Sequence, residues 1–576
     1  MKALSGLLIS AVLVVAGCKG KQAEETQIIP GVGITVATAP GMVAAANRHA
    51  VETGLEILRE GGSAVDAAIA VQTVLGLVEP QSSGIAGGAF MIVYDNKTGD
   101  VWFYNGREKA PAGVSSDMFL DPETGEPIRY FSGITSGRST GVPGVMSMLE
   151  KAHGDYGKLA WEKNFEPGIA LAEHGFEISP RLAGLIKRAA GYGFGSDINA
   201  GAYFFDDNGE PHQVGFLRDN QPYAETLRAL QDNPRALLEP PIANDIIAAT
   251  QEEPLPGYLT LDDMAAYEAQ KEPALCGDYR ELTLCGAMPP ASGSLAVLSI
   301  LGTLENFDMA GLGNSAEGWH TFIEASFLSY ADRDKYVADD DFVTVPIKEM
   351  LDKDYLKSRA TLISMDSAMQ DVRAGNPVDF VRGKDATPDS PGTSHFTIVD
   401  KDGLTVAMTT TVESVFGSQR MVRGFMLNNQ LTDFSFRSHD DNGEPIANAV
   451  APHKRPRSSM APMIAFDADG EFLFTSGSPG GNSIIAYTAK SIVGIVDWGL
   501  TPQEAIVLPN VIARNGSVRL EENRLDAAII EALEAKGHKV VRSQGEISGL
   551  HIIYRNPDGS YTGGADPRRE GVALSE

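Results

Sequence analysis

Near residue 392 the chain changes its hydrophobic period, and that change restricts the folds open to it. From about 145 to 380 helical spacing dominates. Ala160 to His174, Pro180 to Ala190 and Glu317 to Asp332 read as helices joined by acidic, proline-bearing loops. From Thr393 onward the pattern is that of strands. Ser394-His395-Phe396-Thr397-Ile398-Val399 alternates and runs into Asp400-Lys401-Asp402-Gly403, which is hairpin-turn chemistry, with Leu404 to Val412 as the return. Further strands are expected at Met460 to Phe466, Phe472 to Thr475, His551 to Tyr554 and Ser560 to Gly563, and helices at Ser483 to Asp497 and Asp526 to Lys536. The first hundred residues also mix both periods. Ala44 to Arg59 reads as a helix stopped at Gly61-Gly62, Ser63 caps a second helix, and Ala89 to Tyr94 pairs with Val101 to Tyr104 through Asp95–Gly99. Strands and helices in both halves predict an α/β fold of stacked layers, built as one intertwined unit.

Charge and composition exclude several functions. The 576 residues carry 47 basic and 76 acidic side chains, a formal charge of −29, and such a surface repels a phosphate backbone, so no nucleic-acid partner is expected. The glycine-rich run Ser83-Gly84-Ile85-Ala86-Gly87-Gly88 precedes a strand instead of joining strand to helix, so it lacks phosphate-cradle geometry. Asp339-Asp340-Asp341 reads as an exposed acidic loop, and no spacing suggests a metal or an organic cofactor.

The start of the chain reads as an export signal: Lys2, an apolar run Leu7 to Val15, then Ala16-Gly17-Cys18. Residues 15–18 resemble a bacterial lipobox. That resemblance implies a signal peptide over 1–17, a lipid on Cys18, a polar tether over 18–34, and a location in the cell envelope or periplasm with the lipid as the only membrane contact. Export makes a disulfide between Cys276 and Cys285 chemically possible; their Cα separation decides whether it forms.

The motifs that carry chemistry begin at Pro391-Gly392-Thr393-Ser394-His395-Phe396. They continue through Thr409-Thr410-Thr411-Val412-Glu413, Phe416-Gly417-Ser418, Leu427-Asn428-Asn429-Gln430-Leu431-Thr432-Asp433-Phe434, Lys454-Arg455-Pro456-Arg457-Ser458-Ser459-Met460 and Gly477-Ser478-Pro479-Gly480-Gly481. Gly106-Arg107-Glu108-Lys109-Ala110-Pro111 and Thr140-Gly141-Val142-Pro143-Gly144 belong to the same ordered set. With matches from about residue 35 to 568, the chain resembles the γ-glutamyltransferase (glutathione hydrolase) family of N-terminal-nucleophile hydrolases. The resemblance implies a four-layer αββα sandwich formed jointly by two fragments of one precursor, residues 35–392 and 393–576, cut between Gly392 and Thr393.

It also implies a set of roles. Thr393 is the nucleophile, with its freed α-amine as base, since a Thr hydroxyl is weak until a base takes its proton and an α-amine titrates near pH 7.7 to 8.0. Thr411 hydrogen-bonds the nucleophile, and the backbone N–H groups of Gly480 and Gly481 stabilise the oxyanion. Arg107, Ser458 and Ser459 hold the substrate α-carboxylate; Gln430, Asp433 and Glu413 face its α-ammonium. Many family members have Asn where this chain has Glu413. His395 reads as structural, and Arg437 to Pro452 as the loop over the site. The expected reaction is transfer of a γ-glutamyl group from glutathione or a related amide to Thr393, then to water, an amino acid or a peptide. A cephalosporin, glutaryl or poly-γ-glutamate acylase of the same fold is the first alternative. A solute-binding lipoprotein with an unused Thr393 is the second.

Overall fold

The structure is a computed structural model that describes residues 35–37, 41–388, 392–543 and 547–576. The expected signal peptide, Cys18 and the tether over 18–34 lie outside the described residues.

Two seven-stranded antiparallel sheets form the centre. The first runs Val572–Ser575, Met42–Ala45, Gly392–Val399, Thr405–Glu413, Gly88–Asp95, Asp100–Asn105, Gln270–Pro273. The second runs Thr35–Ala37, Tyr561–Ala565, His551–Arg555, Phe472–Ser476, Met463–Phe466, Leu282–Gly286, Leu275–Tyr279. Every residue of Gly392–Val399 and Thr405–Glu413 is buried. The two-residue period of a strand explains how both faces of these strands are covered. Val43, Met91, Val93, Phe396, Ile398, Val406 and Met408 pack with the helices Arg48–Arg59 and Ala64–Val78. Met42, Ala44, Phe90, Ile92, Val399 and Ala407 point the other way, into a second core shared with Ile464, Phe474 and Ile553. That core extends to the helices Ser292–Leu304, Ala316–Tyr336 and Ile484–Val496. The layer order is helix, sheet, sheet, helix, as expected. Both sheets take strands from either side of Gly392, so neither half of the chain completes a sheet alone.

Local chemistry sets the element ends. Ser63 caps Ala64–Val78 with a reciprocal Ser63–Asp66 capping box. The expected helix from Ala44 instead begins at Arg48 behind an Asn47 cap, because Met42–Ala45 pairs with Val399–Phe396 and Ser575–Val572. Sheet pairing supplied by distant residues overrides the helix propensity of the alanines. The helix read over Ala160 to His174 is a 3₁₀ turn, Trp161–Phe165, followed by Glu166–His174. The middle of the chain is less helical than its spacing suggests, since Gln270–Pro273, Leu275–Tyr279 and Leu282–Gly286 are strands. Cys276 and Cys285 are direct cross-strand partners and their sulfurs are bonded. Asp339 departs from the exposed-loop reading: it is buried and accepts the Arg455 backbone N–H at 2.7 Å, while Asp341 remains exposed. No helix among the described residues is long and apolar enough to cross a membrane.

Candidate active site

Thr393 lies at the start of a central strand, at a break in pairing. Gly392 is opposite Glu413 and Thr393 is opposite Thr411, so Val412 is the extra residue of a bulge. The bulge places Glu413 at φ 78°, a left-handed conformation costly for a side chain with a Cβ and common at functional sites. It also turns the Thr411 hydroxyl toward the Gly392–Thr393 junction. That hydroxyl donates to the Gly392 carbonyl, accepts from the Thr393 hydroxyl at 3.3 Å and accepts the Glu413 N–H at 2.8 Å. A side chain at 392 would collide with the backbone carbonyl oxygens of Glu413 and Ser414, so this position requires glycine. On the far side of the strand the Thr393 carbonyl accepts from Arg569 Nη1 at 2.8 Å. Burial pulls the Arg569 guanidinium down to about 9, with the Arg181 charge adding to the shift.

Thr393 and Thr411 open onto a pocket that also takes Arg107, Glu413, Gln430, Asp433, Ser458, Ser459 and Gly481. Nine of the ten residues expected in the site thus line one cavity, and Gly480 adjoins it. Arg107 is fully buried; it donates to the carbonyls of Pro456 at 3.1 Å and Arg457 at 3.0 Å and pairs with Asp433. Asp433 also accepts from Gln430 at 2.7 Å. Glu413 accepts from Ser414, Asn429 and, at 3.4 Å, Tyr130. The pocket therefore places the Arg107 guanidinium in one wall with two carboxylates, Asp433 held by Arg107 and Gln430 and Glu413 held by neutral donors. Gly480 and Gly481 have φ of 137° and 57°, and a Cβ on Gly480 would run into the Tyr487 ring. They begin a 3₁₀ turn that leads into Ile484–Val496, so the chain enters that helix beside Thr393.

The match to a family model decides what this site belongs to: the model described as gamma-glutamyltranspeptidase covers residues 50–575. The chain belongs to the γ-glutamyltranspeptidase family. It is 35% identical over 551 residues to the glutathione hydrolase proenzyme of Bacillus subtilis (strain 168), covering 93% of this chain and 91% of that one. To the glutathione hydrolase proenzyme of Escherichia coli (strain K12) it is 36% identical over 544 residues, covering 92% and 90%. Its fold matches the crystal structure of cephalosporin acylase from Bacillus halodurans with TM-score 0.82 at 26% identity, over 97% of this chain and 99% of that one.

Within this γ-glutamyltranspeptidase site, several residues escaped the sequence reading. Arg333, Arg457 and Asn482 line the pocket. Arg333 Nη2 donates to the Ser459 hydroxyl at 2.6 Å and to Asn482 at 3.0 Å, and Ser459 in turn donates to Asn482 at 2.6 Å. The Ser459 hydroxyl, expected to meet a substrate carboxylate, is thus already engaged, whereas the Ser458 hydroxyl accepts only the Met460 amide at 3.2 Å among the bonds described. Burial and the nearby Arg457 charge bring Arg333 down to about 10. Arg333 sits on the last turn of Ala316–Tyr336 in an Asp332-Arg333-Asp334 run that reads like any charged helix end. Glu108, fully buried 3.9 Å from Arg107, is pushed up to about 8 by loss of solvent. Loss of solvent thus favours its neutral form, which adds no negative charge beside Asp433.

His395 is buried against the Thr409 hydroxyl at 2.9 Å, and burial holds it well below the usual imidazole range. It stays neutral and lines none of the pocket, which fits its structural reading. The stretch from Arg437 to Pro452 does not close over Thr393. Arg437, His439, Asp440, Asp441 and Ile446 line a second, wider cavity that shares Thr387 and Pro388 with the first.

Proposed function

We propose that this chain is an autoprocessed γ-glutamyl hydrolase and transferase. The observation that carries the reading is the pairing of Thr393 and Thr411 at the mouth of a pocket holding Arg107 with Asp433 and Glu413. A γ-glutamyl group carries one carboxylate and one ammonium on the same carbon, and that pocket offers the guanidinium groups of Arg107, Arg333 and Arg457 on one side of the charge balance and the carboxylates of Asp433 and Glu413 on the other.

Maturation uses the same atoms. Thr411 polarises the Gly392 carbonyl while the Thr393 hydroxyl attacks it, transferring the acyl group from nitrogen to oxygen. Water then cleaves the ester and leaves Thr393 with a free amine. In turnover this amine takes the hydroxyl proton as Thr393 attacks the γ-carbonyl. The developing oxyanion falls to the amides of Gly480 and Gly481, and the proton passes to the leaving amine. The γ-glutamyl ester is then released to water or to an amino acid or peptide. Arg107 and Ser458 bind the α-carboxylate, Asp433 and Glu413 with Gln430 the ammonium, and Arg333 keeps Ser459 and Asn482 in place.

The whole-length likeness to a cephalosporin acylase favours one alternative, a glutaryl-type acylase. A glutaryl group keeps the carboxylate and lacks the ammonium. Asp433 and Glu413 have donors of their own, so neither is orphaned by that loss. What is lost is the charge-assisted bonding to the cation, roughly 2–3 kcal/mol. γ-Glutamyl anilide should therefore be hydrolysed with a kcat/KM about 30- to 150-fold above glutaryl anilide. Glu413→Gln should narrow the gap by removing one charge. Equal rates on the two anilides would favour the acylase.

The envelope location and the lipid on Cys18 belong to this proposal on the strength of the Val15-Ala16-Gly17-Cys18 run. Mass spectrometry of the mature amino terminus should find Cys18 acylated, and an unmodified terminus further along the chain would refute it.

A further inference from the structure

Away from the pocket, the helix Ala316–Tyr336 carries His320 and Glu324 one turn apart on one face, and the chain brings His538 against them from just beyond the helix Ala527–Ala535. All three residues are buried, and one ligand atom from each lies within 4.8 Å of the others. We propose that His320, Glu324 and His538 form a structural divalent-metal site whose fitting ion is zinc.

One unmatched buried acceptor, Glu324 Oε1, points to a cation, while the two rings stand at a distance that a single ring N–H also bridges. His320 Nε2 is 2.8 Å from the Ser364 carbonyl, a partner only an N–H can serve. The neutral ring then presents a bare Nδ1, and 2.7 Å from it stands Nε2 of His538. Nδ1 of His538 lies 3.8 Å from Glu324 Oε1, too far for a hydrogen bond. Glu324 Oε2 accepts the Met369 N–H at 3.0 Å, while Oε1 is buried without any hydrogen-bond partner. A buried carboxylate oxygen left so is costly, and a metal ion satisfies it together with the two imidazole nitrogens.

The outer contacts are those a metal site uses. A ligating histidine donates its second N–H to a carbonyl, as His320 does to Ser364, and a ligating carboxylate is itself hydrogen-bonded, as Glu324 is by Met369. A neutral imidazole nitrogen is the form that ligates. Two imidazoles and one carboxylate suit zinc among the common ions. Bond lengths of about 2.0–2.1 Å would set the two nitrogens roughly 3.3 Å apart, so the rings need to part by about half an ångström. Such an ion would tie three segments together: the helix, the loop through Ser364 and Met369, and the turn at His538. No spacing in the sequence announces it, because His538 lies 218 residues from His320.

Along the helix, His320 is ~20 Å from Arg333 at a rise of about 1.5 Å per residue, so the site can be tested without disturbing catalysis. Purified mature protein is stripped with chelator, given Zn²⁺, passed through gel filtration and assayed for metal. The wild type should retain one zinc per chain, and Glu324→Gln and His538→Gln less than a tenth of that. Glu324→Gln should hydrolyse γ-glutamyl anilide within twofold of wild type. Zn²⁺ should raise the unfolding midpoint of the wild type alone. Wild-type protein loaded with Co²⁺ should show the intense visible absorption of a tetrahedral site, a reading that needs no variant to fold. Zinc retention by the wild type no greater than by the variants, or a weak octahedral cobalt spectrum, would overturn the proposal and leave a proton shared by the two rings.

Discussion

Thr393→Ala should yield a single uncut chain with no measurable γ-glutamyl hydrolysis, a loss of at least about 10⁴-fold. One side chain serves both reactions. Without its hydroxyl nothing attacks the Gly392 carbonyl, so no α-amine is freed, and nothing attacks the substrate. Thr411 still donates to the Gly392 carbonyl, and polarisation without a nucleophile cuts no bond. The check is a denaturing gel, where wild type gives two bands, residues up to 392 and residues 393–576, and the variant gives one. Thr393→Ser keeps a hydroxyl without the methyl that fixes its rotamer, and should be cut slowly and retain some activity. Cleavage of Thr393→Ala at the same bond would show that another agent does the cutting.

Arg107→Gln should lower kcat/KM for γ-glutamyl anilide by about 10²–10³. Arg107 is fully buried and holds Asp433 and two backbone carbonyls in the pocket wall. Removing one side of a buried charge pair costs roughly 3–5 kcal/mol, because the partner is left uncompensated. Lys at this position keeps the charge and loses the fork that reaches three acceptors at once, so Arg107→Lys should recover only part of the loss. The glutaryl substrate shares the carboxylate that Arg107 binds, so both substrates should suffer. Glu413→Gln, by contrast, should affect chiefly the γ-glutamyl one. A loss with Arg107→Gln confined to the γ-glutamyl anilide would mean that Arg107 serves only to hold Asp433. Processing is followed on the same gels, to separate binding from maturation.

The helix-to-strand change at Thr393, the hairpin turn at Asp400–Gly403 and the Ser63 cap are local events, and local chemistry was enough to read them. The ordered motifs likewise brought nearly the whole pocket together in advance, because each short run carries its own backbone conformation: the two glycines at 480 and 481 take positive φ, and Gly392 sits where a Cβ has no room. Other features depend on what lies opposite. Met42–Ala45 is a strand only because Val399–Phe396 and Ser575–Val572 flank it. Cys276 and Cys285 could be joined only once a hairpin set them face to face.

Fold class and family were therefore legible from the sequence by itself, since period, turn chemistry and motif order are properties of neighbouring residues. Tertiary structure alone decided the Val412 bulge that aims Thr411 at Gly392, the Arg107–Asp433 pair, the arrival of Arg333 and Arg569, and the meeting of His320 with His538. These features depend on burial and on distances between segments hundreds of residues apart. An arginine in the last turn of a helix reads the same whether it faces water or a catalytic pocket, and only the packing of the opposite layer determines which.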